Sequence, residues 1–280
     1  MTVETISKNL ISLKKAFVQT YQGKSQIQEV IPISESEKFP INQSDLELLH
    51  QFATKNPIYY NSFEDTINGN SCIVYEGDIN KYWLNSIQHG SSHAPFSPTW
   101  ILSAYVGSLA AKNLGYEQLI DIGSGDGRIA FCAKVLEMES YSIEIDDMLV
   151  DLQKHLTTTL DFHPFCSDAT LFDYSSLNLN NPVFFIGGLA QMGGKELSTG
   201  VIKKINSVLS LNNTGWVFAG TLSQKYSPDP KNHAGWGTLI EENGLEHIMT
   251  VLLPTVWTFH EPDETPYVFA EASPTNRNPN

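Results

Sequence analysis

The first 20 residues repeat apolar positions at helical spacing. Ile6, Leu10, Leu13 and Phe17 fall on one side, which predicts an amphipathic helix. Residues 23–43 are polar and interrupted by Pro32 and Pro40, so a loop is expected there. Ser44 then caps a second helix, DLELLHQFATK, which stops at Pro57. SCIVYEGDINKYWLNSI reads as a short strand followed by a helix. HGSSHAPFSPT is a loop rich in Gly, Ser and Pro, and it leads into the apolar helix WILSAYVGSLAAKNLG, closed by Gly115.

From residue 118 the pattern changes. Short apolar runs alternate with helical stretches, as βαβ units over a parallel sheet require. QLIDI, YSIEI, DFHPFC, PVFFIG and GWVFAGT are the predicted strands. RIAFCAKVLEM, DMLVDLQKHL, KELSTGVIKKINSVL and WGTLIEENG are the helices. LEHIMTVLL and PYVFAEA form a terminal antiparallel pair joined through HEPDETP. The expected class is α/β, a mostly parallel sheet behind a mainly helical N-terminal module. The boundaries are 1–95 for the module, 96–272 for the α/β domain and 273–280 for a disordered tail.

A chain of 280 residues with 41% apolar content has room for one large domain, or one domain and a modest module, with a substantial core. Lys and Arg number 17 against 31 Asp and Glu, a formal charge of −14. Such a surface disfavours naked nucleic acid and favours cationic ligands or basic proteins. The acidity concentrates in residues 121–173, with 11 acids against 3 bases. Cys72, Cys132 and Cys166 are odd in number, widely spaced and without a C-x-x-C pair. Neither a disulfide framework nor a Cys-rich zinc site is expected, which fits a cytoplasmic protein. The N-terminus lacks the apolar stretch of a signal peptide, and no window reaches the length of a membrane span.

The chemistry-bearing segment is Asp121-Ile122-Gly123-Ser124-Gly125-Asp126-Gly127, between a strand end and a helix start. Glycines there let the backbone turn sharply and approach a ligand, and the helix N-terminus adds free N–H groups. A glycine-rich turn alone is equally a plain strand–helix connection. The dinucleotide fingerprint needs a third glycine at position 128, where this chain has Arg128. Glu144 ends the second strand 17 residues after Gly127, where a carboxylate can accept hydrogen bonds from ribose hydroxyls. Asp168-Ala169 follows the third strand. Asp168 there either meets a ligand or caps a turn.

The spacing D-x-G-x-G-x-G, with the acids after the second and third strands, resembles class I S-adenosylmethionine-dependent methyltransferases over residues 96–272. The resemblance implies a Rossmann-like seven-stranded sheet whose late antiparallel pair departs from a purely parallel one. It implies S-adenosylmethionine as cofactor and no metal. Asp121, Gly123, Gly125 and Gly127 would hold the methionine end, Glu144 the ribose, and Asp168-Ala169 the adenine, with Ser124 and Ile145 also among the cofactor-binding residues. Gly187 would lie near the transferring methyl. Phe96-Ser97-Pro98-Thr99 is similar to a P-T segment of archaeal protein-lysine methyltransferases of this fold, which places Thr99 beside the cofactor; a simple Pro-Thr helix start fits as well.

The loop Gly187–Gly194 carries neither an N-P-P-Y-type nor a Pro-Cys signature, so the methyl acceptor is left as a small molecule or a lysine on a basic protein. Gln191 could orient a nucleophile or face solvent. His93, His233 and His260 lie in loops that could border the cleft, and none is assigned as a catalytic base. The 14-residue loop LSQKYSPDPKNHAG is long enough for a lid. Two rival functions share the glycine turn: a nicotinamide-dependent oxidoreductase, and a non-catalytic module that binds cofactor or partner.

Overall fold

The computed structural model describes residues 2–78, 98–158, 160, 162–187, 194–208, 214–219, 236–254 and 264–272. The chain forms helix α1 (Val3–Thr20), strand β1 (Ile27–Pro32), helix α2 (Gln43–Lys55) and the strands β2 (Tyr59–Ile67) and β3 (Asn70–Gly77). Helix α3 (Ile101–Asn113) follows, then β4 (Gln118–Ile122), α4 (Arg128–Val135), β5 (Glu139–Glu144), α5 (Asp147–Leu156) and β6 (His163–Cys166). The remaining elements are β7 (Pro182–Ile186), α6 (Gly194–Val208), β8 (Gly215–Phe218), α7 (Gly237–Glu242), β9 (Leu245–Pro254) and β10 (Glu264–Ala272).

Strands β4 to β10 form one seven-stranded sheet in the order β6-β5-β4-β7-β8-β10-β9. Pairings from β6 across to β8 are parallel, whereas β10 runs antiparallel to both its neighbours. This is the Rossmann-like architecture expected from the sequence. The last strand sits inside the sheet, between β8 and β9, rather than at its edge. Strand order reverses between β4 and β7, and in open α/β sheets ligands bind at that switch point, beyond the carboxyl ends.

Strand side chains alternate between two cores. Leu119, Val183, Phe185, Val217 and Phe269 face a layer containing α1, α2, α3 and α4. Ile120, Ile122, Phe184, Ile186, Trp216 and Phe218 face Val201, Ile202 and Ile205 of α6 and Leu239 and Ile240 of α7. Helix α3 is buried nearly all round, which is why its sequence is apolar without a polar stripe. It ends at Gly115, whose φ of +92° lets Tyr116 N–H return to the Ala111 carbonyl.

The N-terminal segment differs from expectation. Its two helices are present, but a three-stranded antiparallel sheet, β1-β3-β2, accompanies them. The supposed loop at 23–43 contains β1, every residue of which is buried. Helix α2 begins one residue before Ser44 and is preceded by Asn42, so Ser44 lies inside the helix. Strand β3 occupies the expected strand at 70–77; the helix expected after it lies outside the described residues. So do Phe96 and Ser97, residues 188–193 with Gln191, the long loop at 222–235, His93, His233 and His260, and the tail 273–280.

Candidate functional site

The turn after β4 is built by three left-handed glycines in five positions: Gly123 (φ +65°), Gly125 (φ +57°) and Gly127 (φ +77°). L-residues with a side chain pay for that conformation, so these glycines are a backbone requirement. Gly123 N–H donates to the Ile143 carbonyl at 2.9 Å, which ties the turn to β5. Gly127 then caps α4.

Beneath the turn lies Gln153 of α5. It accepts from the Ser142 hydroxyl at 2.5 Å and donates to Ser124 Oγ at 2.9 Å and to the Gly125 carbonyl at 2.7 Å. A Cβ on Gly127 would come within 2.9 Å of its Cγ. The sequence reading missed Gln153; its signal is a polar residue on the buried face of α5, among Leu149, Leu152 and Leu156.

Asp121 is buried at the head of the turn and accepts Ala130 N–H at 3.3 Å. Burial pushes its carboxyl up to about 8; the Ala130 N–H pulls the other way, and Glu144 and Asp126 push further up. An acid held above its unfolded value (ordinarily about 4) keeps a proton that the unfolded chain has lost, so it stabilises the fold at low pH. That contribution shrinks as pH rises from about 4 to about 8. Urea midpoints measured from pH 5 to 8 should fall more steeply for the wild type than for Asp121→Asn. Parallel profiles would contradict this.

Glu144 sits at the end of β5. One carboxylate oxygen accepts Gly125 N–H at 2.7 Å; the other accepts Ile145 N–H at 2.9 Å and Asp146 N–H at 3.1 Å. Burial raises its pKa, opposed by those three donors. The Glu144 carbonyl accepts Ser167 N–H at 2.8 Å, which brings the residues after β6 to the same edge. Asp168 there caps a turn: one oxygen accepts Thr170 N–H at 2.8 Å and the Thr170 hydroxyl at 2.7 Å. Ala169 is buried, its carbonyl accepting the Tyr174 hydroxyl. Gly187 follows β7 directly, next to the glycine turn in register, and a Cβ there would meet nothing within 4 Å.

Arg128 is the residue whose surroundings the sequence concealed. The residue is 2% exposed, and its guanidinium grips Asp126 with two nitrogens, at 2.9 and 2.6 Å. A third nitrogen donates to Glu29 of β1 at 2.6 Å and to the Thr99 carbonyl. Glu29, fully buried, also accepts the Tyr59 hydroxyl and Ile101 N–H, each at 2.9 Å. Asp126 accepts Asn56 Nδ2 at 2.8 Å. Thr99 is half-buried, and its backbone carbonyl accepts from Arg128. It is linked to the glycine turn through Arg128.

Asp121, the turn 123–127, Glu144, Ile145, Asp168, Ala169 and Gly187 thus share the carboxyl edge of the sheet at its switch point. Most N–H groups of the turn are engaged within the protein: Gly123 and Ser124 with the Ile143 carbonyl, Gly125 with Glu144, Gly127 with the Ser124 carbonyl and Arg128 with Asp126. The edge therefore offers a helix start beside the carboxyl groups of Glu144 and Asp168, an arrangement for a ligand with hydroxyls. Among the described residues no group of His, Cys, Asp and Glu could hold a metal ion, and no helix is long and apolar enough to cross a membrane.

No protein-family model matches the chain, and no curated protein matches it in sequence. Solved structures resemble it. A putative RNA methyltransferase from Pyrococcus horikoshii is 14% identical, covering 71% of this chain and 98% of its own, with a TM-score of 0.49. The CcbJ methyltransferase of Streptomyces caelestis is 12% identical, covering 69% and 98%, with a TM-score of 0.47. Magnesium protoporphyrin IX methyltransferase from Synechocystis PCC 6803, with bound S-adenosylmethionine, is 13% identical, covering 62% and 78%, with a TM-score of 0.45. At such identities no activity or substrate transfers.

Proposed function

We propose that the chain is an S-adenosylmethionine-dependent methyltransferase. One observation carries the reading: the glycine turn lies at the reversal of strand order, with Asp121 and Glu144 buried beside it at the ends of adjacent strands. A nicotinamide cofactor is less suited. The position where the dinucleotide fingerprint wants a third glycine for close helix–strand packing holds Arg128, directed to β1, and the local acidity opposes a pyrophosphate.

The residues fit such a cofactor. The turn's backbone and Asp121 would meet its methionine end, Glu144 and Ile145 the ribose, Asp168 and Ala169 the adenine. Gly187 leaves open space where the methyl would pass, and Thr99 would lie beside the cofactor. When bound, the cofactor supplies an electrophilic methyl on a cationic sulfur. Three of the roughly four lone-pair positions of the Glu144 carboxylate are already taken by N–H groups. The fourth, on the oxygen that accepts Gly125 N–H, is open to one ribose hydroxyl, and a second would have to displace one of those N–H groups. Asp168, with one oxygen in its turn, has its other oxygen without a partner among the described residues. The protein's part is alignment and exclusion of water, which can supply a large effective molarity.

The methyl acceptor is a small molecule or a lysine of a basic protein, for which the −14 charge is favourable, and the N-terminal segment shapes the acceptor's approach. Calorimetry with S-adenosylhomocysteine and with NAD tests the reading. Binding of the first in the micromolar range and none of the second is expected; the opposite result would make the chain a dinucleotide protein. Incubation with methyl-labelled cofactor and cell extract then asks for transfer to metabolites or peptides. Cofactor binding without transfer would indicate a non-catalytic module.

A further inference from the structure

The buried cluster around Arg128 joins three segments that are distant in sequence. They are β1 through Glu29, the turn through Asp126, and the start of α3 through the Thr99 carbonyl and the Glu29–Ile101 bond. Two of these, the turn and the Thr99 segment, are pieces assigned above to the cofactor. The third belongs to the N-terminal sheet, about a hundred residues earlier.

We propose that Glu29, acting through Arg128, is a positioning residue for the cofactor turn, so that the N-terminal sheet is part of the cofactor site's architecture. The inference rests on the methyltransferase reading and deepens it.

The geometry is that of a rigid strut. The planar guanidinium has five donors in a fixed fork, and here they are distributed among Asp126, Glu29, the Thr99 carbonyl and, at 3.4 Å, the Tyr59 hydroxyl. Its backbone begins α4, so a fixed side chain fixes the helix start and the Gly125–Gly127 backbone before it. Asp126, between two left-handed glycines, is held on its other side by Asn56 from the end of α2. Gln153 clamps the opposite side of the turn. Without the β1 strut Arg128 loses an anchor; Asn56, Gln153 and Glu144 still hold parts of the turn, and the three left-handed glycines leave its backbone soft enough to respond. The cluster holds two acids, Glu29 and Asp126, against Arg128, with the buried Lys14 ammonium contributing a further positive charge near Glu29. Burial raises the Glu29 pKa, and Arg128, Ile101 N–H and the Tyr59 hydroxyl pull it back down. Both of its oxygens are bonded, a strict requirement on its position.

The test compares folded variants by S-adenosylhomocysteine calorimetry and by amide exchange at residues 123–127. Glu29→Gln and Arg128→Lys should each raise the dissociation constant at least tenfold and speed exchange in the turn. Tyr59→Phe, which removes the hydrogen bond to Glu29 and the one from Arg128 but leaves both charged partners in place, should raise it about threefold. Tyr105→Phe is the control. It breaks a buried 2.7 Å bond to Asp45 between α3 and α2, a tie of the N-terminal segment that does not touch the turn. It should cost stability and leave both readouts unchanged. Wild-type affinity in every folded Glu29, Arg128 or Tyr59 variant overturns the proposal, as does equal weakening by Tyr105→Phe. A wild-type protein that binds no S-adenosylhomocysteine overturns the methyltransferase reading itself, a result separable from the other two.

Discussion

Glu144→Ala is expected to weaken S-adenosylhomocysteine binding about 100-fold or more. A hydrogen bond to a charged acceptor contributes ~1.5–3 kcal/mol, and the open position on Glu144 takes one from the ribose diol, with the loss of the Gly125 restraint added to it. Losing about 3 kcal/mol corresponds to roughly 100-fold in affinity. The alanine variant also frees Gly125 N–H, which Glu144 holds at 2.7 Å, so the turn loses a restraint as well as the ligand its acceptor. Glu144→Gln separates these contributions. It retains one acceptor oxygen for the neighbouring N–H groups and loses the charge, so an intermediate loss is expected. Calorimetry near neutral pH, with circular dichroism to verify folding, is the measurement. Unchanged affinity in the alanine variant would remove the central support of the proposed function.

Arg128→Met should destabilise the fold by about 3–5 kcal/mol, the usual consequence of removing one partner from a buried ion pair and leaving charge uncompensated. Here two carboxylates, Glu29 and Asp126, would be stranded. At about 2–4 °C per kcal/mol for a large domain, the thermal midpoint should drop by roughly 10 °C. Lys8→Met provides the comparison. Its pair with Glu4 lies on the surface, with side chains 70% and 77% exposed, and such pairs contribute little. The midpoint should stay where it is. A drop of only a degree or two in Arg128→Met would show that the cluster relaxes without its cation.

The α/β part of the fold was legible because its strands are buried on both faces and read as unbroken apolar runs. Val183 to Ile186 is the clearest case. The turn residues were legible because three left-handed backbone positions leave glycine as the unstrained choice. The N-terminal sheet was not. Strand β1 contains Glu29 and Gln28 and ends in Pro32, so it looks solvated, yet Glu29 is buried because a partner 99 residues downstream neutralises it. No local pattern carries that information. Strand β2 is exposed on nearly every residue and shows no alternation. Its hairpin did leave a signal that went unused: Asn68-Gly69, with φ of +50° and +75°, is the two-residue turn that joins β2 to β3. Asp168 illustrates a different limit. Its turn-capping and ligand-binding readings predict the same residue, and the capping bonds to Thr170 leave one oxygen for the other role.

The placement of β10 has a consequence for how the molecule is made. Val268 to Glu271 pair with β8 while the same strand zips along the whole length of β9. The piece that bridges the two follows both of them in the chain, so it leaves the ribosome after them. Until it arrives, β8 and β9 present bare hydrogen-bonding edges with Trp216 and Phe218 alongside, a sticky nascent state. Synthesis therefore passes through a stage with an open seam in the middle of the sheet, closed only when β10 inserts.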